Sequence, residues 1–566
     1  MLQLNAAKAP TFGLGSFGLK HAFCHHVHDE LGLCRAGTAE LVQSQRRIFV
    51  QLSRLTGLLR VLVLAWVFGF TPIADAFNLA NTVPNMLFDL VLGGIASATF
   101  IPVFIERLSV DGERKAWRSI SSVITGSLVV LFAASVLAWI FAPWIIDGFT
   151  ALNHPHGLSH ISNLQQQREL ATSLLRWFIP QIFFYGIIGI ATALLNIRNK
   201  FAPGSWVPVI NNIVCIAVLV WFHLVDPTPS LSTLNGSGHL VWLGLGTTCG
   251  VLLQFIFLLP SLAKSDLGRV TFNFNFRDPV VRTIGRLGSW TLLVVVANQL
   301  SLYVVLAFAF GIGGGGPVSA YTYGWSFMQM PYAVIVVSVL SALTPQLSKL
   351  ATEKDFAGFA ERLRFGLRQS LVIIVPCTIG LVLLSQPLVG VLLNHVHAEH
   401  RLLAGSVLAV LGAGLPGFTV FQVCIRGLQA MQRARDVFYL YALQNGLTVL
   451  LAMTMGRHSM AGLCASVSIS YSAVALVGLA NLTRHQVNIS ATLWSKHVLR
   501  SVLASVASGL VIAMAYASST SSSGLGLLTR FGGSTLLGIL TYLTFIVMWQ
   551  RNAVRNSKKS VRLDKF

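Results

Sequence analysis

The sequence predicts an all-α polytopic membrane protein with about fourteen transmembrane helices, on three observations. Of its 566 residues 54% are hydrophobic and only 10% charged, a balance too apolar for a string of soluble domains. Apolar runs of about 20 residues recur along the whole chain, the length a helix needs to cross a bilayer. Runs such as 127–146 lack the alternation of a barrel strand, so helices must satisfy the backbone. The third observation is charge placement. With a cytoplasmic N-terminus, most loop Lys and Arg fall on the inside and only about 4 outside, the asymmetry that orients membrane proteins.

That distribution also decides what the formal charge of +21 means. It marks an inner-leaflet anchor, concentrated in the basic tail 551–566, and not a nucleic-acid partner. Residues 1–45 carry no basic segment followed by an apolar core, so they read as a disordered cytoplasmic extension with no signal peptide.

The first span, 48–70, contains Arg54, Gly57 and Arg60. An arginine at membrane depth costs at least ~2.5 kcal/mol and normally faces a wet cavity or a partner. Six residues rotate Arg60 by about 240° from Arg54, so a bend at Gly57 is what would let both reach one cavity. After Pro72, Asp75 opens the second span, 76–105, where an acid can cap free N–H groups. Asn81, Asn85 and Asp89 add polarity to a helix interrupted by Pro84 and loosened at Gly93-Gly94. Such a helix is tolerated only within protein or beside a water-filled cavity.

Four more spans follow at 119–147, 170–195, 205–225 and 239–262, and then the pattern repeats. VLAWVFG (63–69) recurs as VLAFAFG (305–311), Asp75-Ala-Phe is echoed by Ser319-Ala-Tyr, and Pro84 with SATFIP (97–102) by Pro331 with SALTP (341–345). Spans 284–310, 317–346, 369–394, 402–425, 437–455 and 460–482 therefore form a second copy in the same orientation, a parallel repeat. The expected domains are 46–262, 263–483, a pair of helices within 484–550 (498–517 and 531–550), and the tail. In this register Arg60 aligns with Leu302 and Arg54 with Val296, so the cationic equipment belongs to the first lobe.

Other polar groups in the spans, including Asn211-Asn212, Asn298-Gln299 and Arg426, read as interhelical hydrogen bonds or interface residues. Cys215, Cys249, Cys377, Cys424 and Cys464 read as small buried hydrophobes. Cys24 and Cys34 with His25, His26 and His28 fit no zinc spacing, and His154, His156 and His160 sit in an outside loop without apolar cover, so no metal is expected. No phosphate loop, HExxH or G-x-S-x-G motif is present; neither cofactor nor enzymatic activity is expected.

SRLTGLLR (53–60), FGFTPIADAFNLANTVPN (68–85), GGIASATFIPVF (93–104), NIRNKFAPGSWVPVINN (196–212) and YGWSFMQMPYAVIVVSVLSALTPQLSK (323–349) together resemble the MurJ/MviN family of the multidrug/oligosaccharidyl-lipid/polysaccharide exporter superfamily. LFDLVLGG (87–94) is similar to its actinobacterial branch. The resemblance runs from about residue 46 to 550 and implies two six-helix lobes plus two helices. It implies a flippase of the bacterial plasma membrane, serving peptidoglycan synthesis and cell shape, with membrane lipids and cell-wall synthesis proteins as partners. Its substrate would be lipid II, the undecaprenyl-diphosphate-linked disaccharide-pentapeptide.

The matching positions imply that Arg54 and Arg60 neutralise the diphosphate, that Asp75 orients an arginine, and that Asn85 and Ser319 line the same path. Ser53, Asn81, Asp89 and Ser326 would support them, with Gly57 and Pro84 as hinges. The chain departs from the family pattern at Val61, Phe88 and Ser326, where an acid and two arginines are expected. The alternatives are an exporter of another polyprenyl-linked polysaccharide, a drug antiporter of the same superfamily, an integral-membrane glycan enzyme, and a cell-wall scaffold. Two cavity arginines argue for an anion over a cationic drug, and acid-poor outside loops argue against the enzyme.

Overall fold

The computed structural model describes residues 49–93, 101–110, 112–152, 158–198, 200–234, 238–265, 271–274, 279–312, 315–392, 398–457, 459–518 and 524–563, and every element among them is helical. Cys24, Cys34, His25, His26, His28, His154, His156 and the 97–100 part of the repeated motif lie outside the described residues.

The first hairpin shows how the sequence builds the bundle. Helix α1 (Phe49–Phe68) stops at Gly69, whose φ of +60° lets its N–H reach back to Ala65 O at 2.9 Å, the left-handed stop that glycine adopts without strain. Thr71 then caps α2 (Pro72–Phe88): its Oγ1 accepts from Ala74 N at 3.3 Å, and Pro72 occupies the first helical turn, where it loses no bond. The cap is therefore Thr71, one turn before Asp75, and the Asp75 carboxylate is left for another helix.

From α2 the chain passes through a π-helical turn, Asp89–Gly93, and resumes at α3 (Ile101–Val110). Next come α4 (Glu113–Ile140), α5 (Ala142–Thr150), α6 (Leu158–Phe178), α7 (Pro180–Ile197), α8 (Ala202–Val225), the short α9 (Leu231–Leu234) and α10 (Gly238–Ala263). The C-terminal half comprises α11 (Pro279–Ile312), α12 (Pro317–Pro331), a second π-helical turn Tyr332–Val336, α13 (Val337–Thr352), α14 (Phe356–Leu383), α15 (Ser385–Leu392), α16 (Ala398–Ala413), α17 (Leu415–Ala430), α18 (Ala434–Leu451) and α19 (Met460–Arg484). Helices α20 (Lys496–Ser518) and α21 (Gly524–Leu563) close the chain. These two π turns follow Pro84 and Pro331, the prolines paired in the sequence repeat, and a third, Ala452–Gly456, ends α18.

Twelve described helices are long and apolar enough to span a membrane, and α16 with α17 adds a thirteenth across a 44° bend. The predicted span 76–105 corresponds to α2 with its π turn and α3. A further difference concerns Cys249, which is exposed on α10 and not a buried hydrophobe. Helix α2 packs against α6, α7 and α12, α20 and α21 pack on each other, and they rest on α14 and α15 respectively.

Candidate functional site

Both predicted arginines lie on α1 and each opens into a cavity, but not the same one. Arg60 faces a space of about 570 Å³ together with Asn78 and Asn81 of α2, Cys215 of α8, and Ser326 of α12. Its guanidinium acts electrostatically on the Tyr185 hydroxyl and the Cys215 thiol. Arg54 and Ser53 line a separate space of about 660 Å³ against the α7–α8 turn, with Asn196 and Ser205. The shared cavity expected from a bend at Gly57 is not what forms. Helix α1 runs uninterrupted, and Gly57 sits at a contact where the Asn212 amide of α8 donates to Ser53 O at 3.3 Å and Thr56 Oγ1 at 3.1 Å. A Cβ on Gly57 would lie 3.6 Å from that amide nitrogen.

Among the described residues neither arginine has an acid within ion-pair distance; the pairs that form involve Arg168, Arg198, Lys349 and His485. A half-buried guanidinium with no counter-charge keeps its desolvation cost until an anion arrives. A third arginine, which sequence reading assigned to the cytoplasmic interface, joins them. Arg426 of α17 and Arg54 of α1 both lie within electrostatic range of the Tyr332 hydroxyl at the second π turn. The repeat of Pro84 at Pro331 was the signal that could have drawn attention to this turn.

Asp75 and Ser319 are brought together, and not at an arginine. Asp75, 2% exposed, accepts from Gly316 N at 2.7 Å, Ser319 N at 2.8 Å and Ser319 Oγ at 2.7 Å. It therefore caps the N-terminus of α12 from a different helix, where a negative charge is favoured by the free N–H groups and the dipole. Asn78 extends the joint by donating to Ser319 Oγ at 3.0 Å and the Tyr323 hydroxyl at 3.1 Å. The approach needs Gly316: its φ is +100°, and a Cβ there would stand 2.7 Å from Phe70 O. Asp75 and Ser319 are the positions paired by the internal repeat, so equivalent residues of the two copies meet each other.

The remaining predicted residues divide. Asn85 is exposed and donates to Asn81 O at 2.8 Å within α2, while Pro84 is buried on the same helix. Phe88 packs on the Tyr185 ring, centroids 5.8 Å apart, and Asp89 turns the other way. Asp89 accepts from Gln299 Nε2 at 3.1 Å and lines a third space, of about 940 Å³, in the C-terminal half. Leu302, the repeat partner of Arg60, faces that space too. Its walls contain Asn298, Gln299, Trp325, Gln444 and Tyr471, none of which sequence reading singled out as functional. Scattered over four helices, they form no motif along the chain.

Comparison with known proteins places this geometry. The family model described as "Lipid II flippase MurJ" matches residues 64–529, a span that holds Asp75, Asp89 and Ser319 and begins after Arg54 and Arg60. A lipid II flippase MurJ of Burkholderia cenocepacia is 29% identical over 396 residues, covering 68% of this chain and 72% of that protein. A solved structure of lipid II flippase MurJ in an inward closed conformation superposes with a TM-score of 0.72 at 22% identity, covering 90% of this chain and 99% of the other. A multidrug resistance MATE family transporter of the MOP superfamily, inward-facing, gives a TM-score of 0.63 at 14% identity over 80% of this chain and 99% of its own. The likeness to both solved structures is one of fold.

Proposed function

The chain belongs to the lipid II flippase MurJ family, and we propose that it carries lipid II from the inner to the outer leaflet of the plasma membrane by alternating access, with both termini cytoplasmic. The observation that carries this reading is the pair of membrane-embedded arginines on α1, each open to a cavity and neither neutralised by an acid. A diphosphate brings about two negative charges, and charge-assisted hydrogen bonds to guanidinium groups are roughly twice as strong as neutral ones. Arg54 and Arg426 supply cation from opposite halves of the chain at Tyr332, and Arg60 supplies it deeper along α1.

In this orientation the Asp75–Ser319 joint lies at the outer end, opposite the Arg54 mouth. It holds the outer side shut while the inner mouth admits the head group; its opening is the step that releases substrate outward. The polyprenyl tail stays in the bilayer throughout. The family departures at Phe88 and Ser326 leave Arg426 as the cation that takes the place of the missing ones. A drug antiporter would need acids facing Arg60's cavity, and its described lining has none.

The test is lipid II exposure on the outer leaflet of bacteria depleted of their own flippase. Wild-type protein restores exposure and Arg60→Ala does not. Equal rescue by both would show that the arginine site plays no part, and no rescue by either, with protein in the membrane, would show the cargo to be wrong.

A further inference from the structure

The connection from α10 to α11, residues 264–278, joins the two halves of the chain and plays no part in the diphosphate reading. Its stretch Thr271-Phe272-Asn273-Phe274 is not helical and lies against α4. Thr271 N donates to Ser121 Oγ at 3.2 Å, Asn273 N to Thr125 Oγ1 at 3.1 Å, and Asn273 Nδ2 to Ser122 Oγ at 2.8 Å. Ser121, Ser122 and Thr125 are at most 2% exposed. Backbone N–H groups that a watery loop would leave to solvent are here satisfied by helix hydroxyls, as backbone near hydrocarbon requires.

The aromatic side chains turn the other way. Phe272 is 81% exposed and Phe274 65%, while Asn273 between them faces the protein. Alternation of this kind is ordinary for an extended chain, but its sense is reversed: polar groups face protein and aromatic rings face out. The depth of the segment gives the reason. Arg118 is the last charged residue of α4 before Asp147, and Ser121 to Thr125 follow it within about 10 Å of helix rise. That layer lies between head groups and acyl chains, where aromatic rings concentrate.

Cations surround the rings. Arg114, Lys115 and Arg118 are all exposed at the start of α4, and Glu113 beside them is already engaged by Arg198 at 2.9 Å. Arg269 and Arg277 flank the segment in the sequence. Outward aromatic rings beside clustered cations are the complement of a membrane surface that carries net negative charge.

We propose that the α10–α11 connection is an inner-leaflet anchor that binds anionic phospholipid. Phe272 and Phe274 insert at the head-group boundary, and Arg114, Lys115 and Arg118 engage the lipid phosphates. The inference rests on the cytoplasmic placement of this connection and not on the cargo. Because the same segment is bonded to α4, the anchor holds the covalent link between the halves on the first half and on the leaflet together.

The experiment places p-benzoylphenylalanine at position 272, and separately at 274, in the full chain. The protein is reconstituted in nanodiscs holding equal amounts of phosphatidylglycerol and phosphatidylcholine with the same acyl chains. Ultraviolet cross-linking followed by mass spectrometry reads what each ring touches, and the same photoprobe at Glu353, exposed in the α13–α14 turn, sets the background. Positions 272 and 274 give lipid adducts well above that background, with phosphatidylglycerol favoured by about fivefold or more. Combining Arg114→Ser, Lys115→Ser and Arg118→Ser removes the preference. The lipid comparison needs no charge variant, so the anionic preference is read even if the triple variant fails to insert.

Lipid adducts no more frequent than at Glu353 would overturn the anchor, and so would cross-links from position 272 to protein alone. Equal adducts of the two lipids, or a preference that survives the triple substitution, would overturn the anionic site. Each of these results leaves the lipid II exposure test of the flippase reading untouched.

Discussion

Replacing Asp75 by Asn tests the Asp75–Ser319 joint directly. The carboxylate accepts three hydrogen bonds, from Gly316 N, Ser319 N and Ser319 Oγ, all at 2.7–2.8 Å. A hydrogen bond to a charged group contributes ~1.5–3 kcal/mol net, and an acid at a helix N-terminus a further ~0.3–1 kcal/mol. Asn keeps one oxygen but turns an NH₂ toward donors, so it loses about one such bond and the charge, ~2–4 kcal/mol in all. At 1.4 kcal/mol per tenfold, opening becomes roughly 30- to 1,000-fold more populated. Hydrogen exchange read by mass spectrometry on the peptide holding Gly316 and Ser319 reports this, because both amides are protected only while the joint is closed. Ser319→Ala keeps both backbone bonds and loses only the hydroxyl, so its exchange rises less, by about 5- to 30-fold for ~1–2 kcal/mol. Unchanged exchange at these amides in Asp75→Asn, with the protein folded, would refute the assignment of Asp75 as the clasp of α12.

Three further outcomes follow from the same geometry. Arg60→Lys retains the charge but not the two-pronged donor, and should bind diphosphate more weakly than wild type and more tightly than Arg60→Ala, measured by calorimetry in low salt. Arg426→Ala should reduce diphosphate affinity by about tenfold and Tyr332→Phe by less, since the hydroxyl is the meeting point and not the charge. Gly316→Ala, in a left-handed conformation against Phe70 O, should lower the unfolding free energy by ~1–3 kcal/mol, read as a depressed melting temperature in detergent.

Much of the fold was legible because membrane helices announce themselves by length and apolarity, and the hairpin at 68–72 carried its stop glycine, cap threonine and first-turn proline in order. What the chain could not reveal was which way each polar side chain turns. Asp75 looked like the cap of its own helix or a partner for arginine; the cap of α2 is Thr71, and the carboxylate reaches 244 residues onward to Ser319. The α1 arginines looked like one site, yet on one uninterrupted helix they line different cavities. Arg426 looked like a loop anchor because its companions, Arg54 and Tyr332, lie far away in sequence. For Asp75 and for Arg426 the deciding neighbour lies in the other repeat, and for Arg54 it lies on the α7–α8 turn, where periodicity within one helix carries no information.

That repeat also bears on the proposed opening of the joint at Asp75. Two copies in the same orientation are related by an axis along the membrane normal, and residues close to such an axis meet their own counterparts, as Asp75 meets Ser319. The sequence has diverged at this contact into a complementary pair, one acid and one N-terminal hydroxyl, so closure gains charge-assisted bonds that two identical residues would not supply. Away from the axis the copies have diverged differently: Arg60 faces the first cavity where its counterpart Leu302 faces the third. One half offers unpaired cation and the other amides and aromatic rings, while the Asp75–Ser319 contact between them involves neither. Under the proposed mechanism, separating the halves at the Asp75 joint would alter the spacing between these two surfaces without dismantling either.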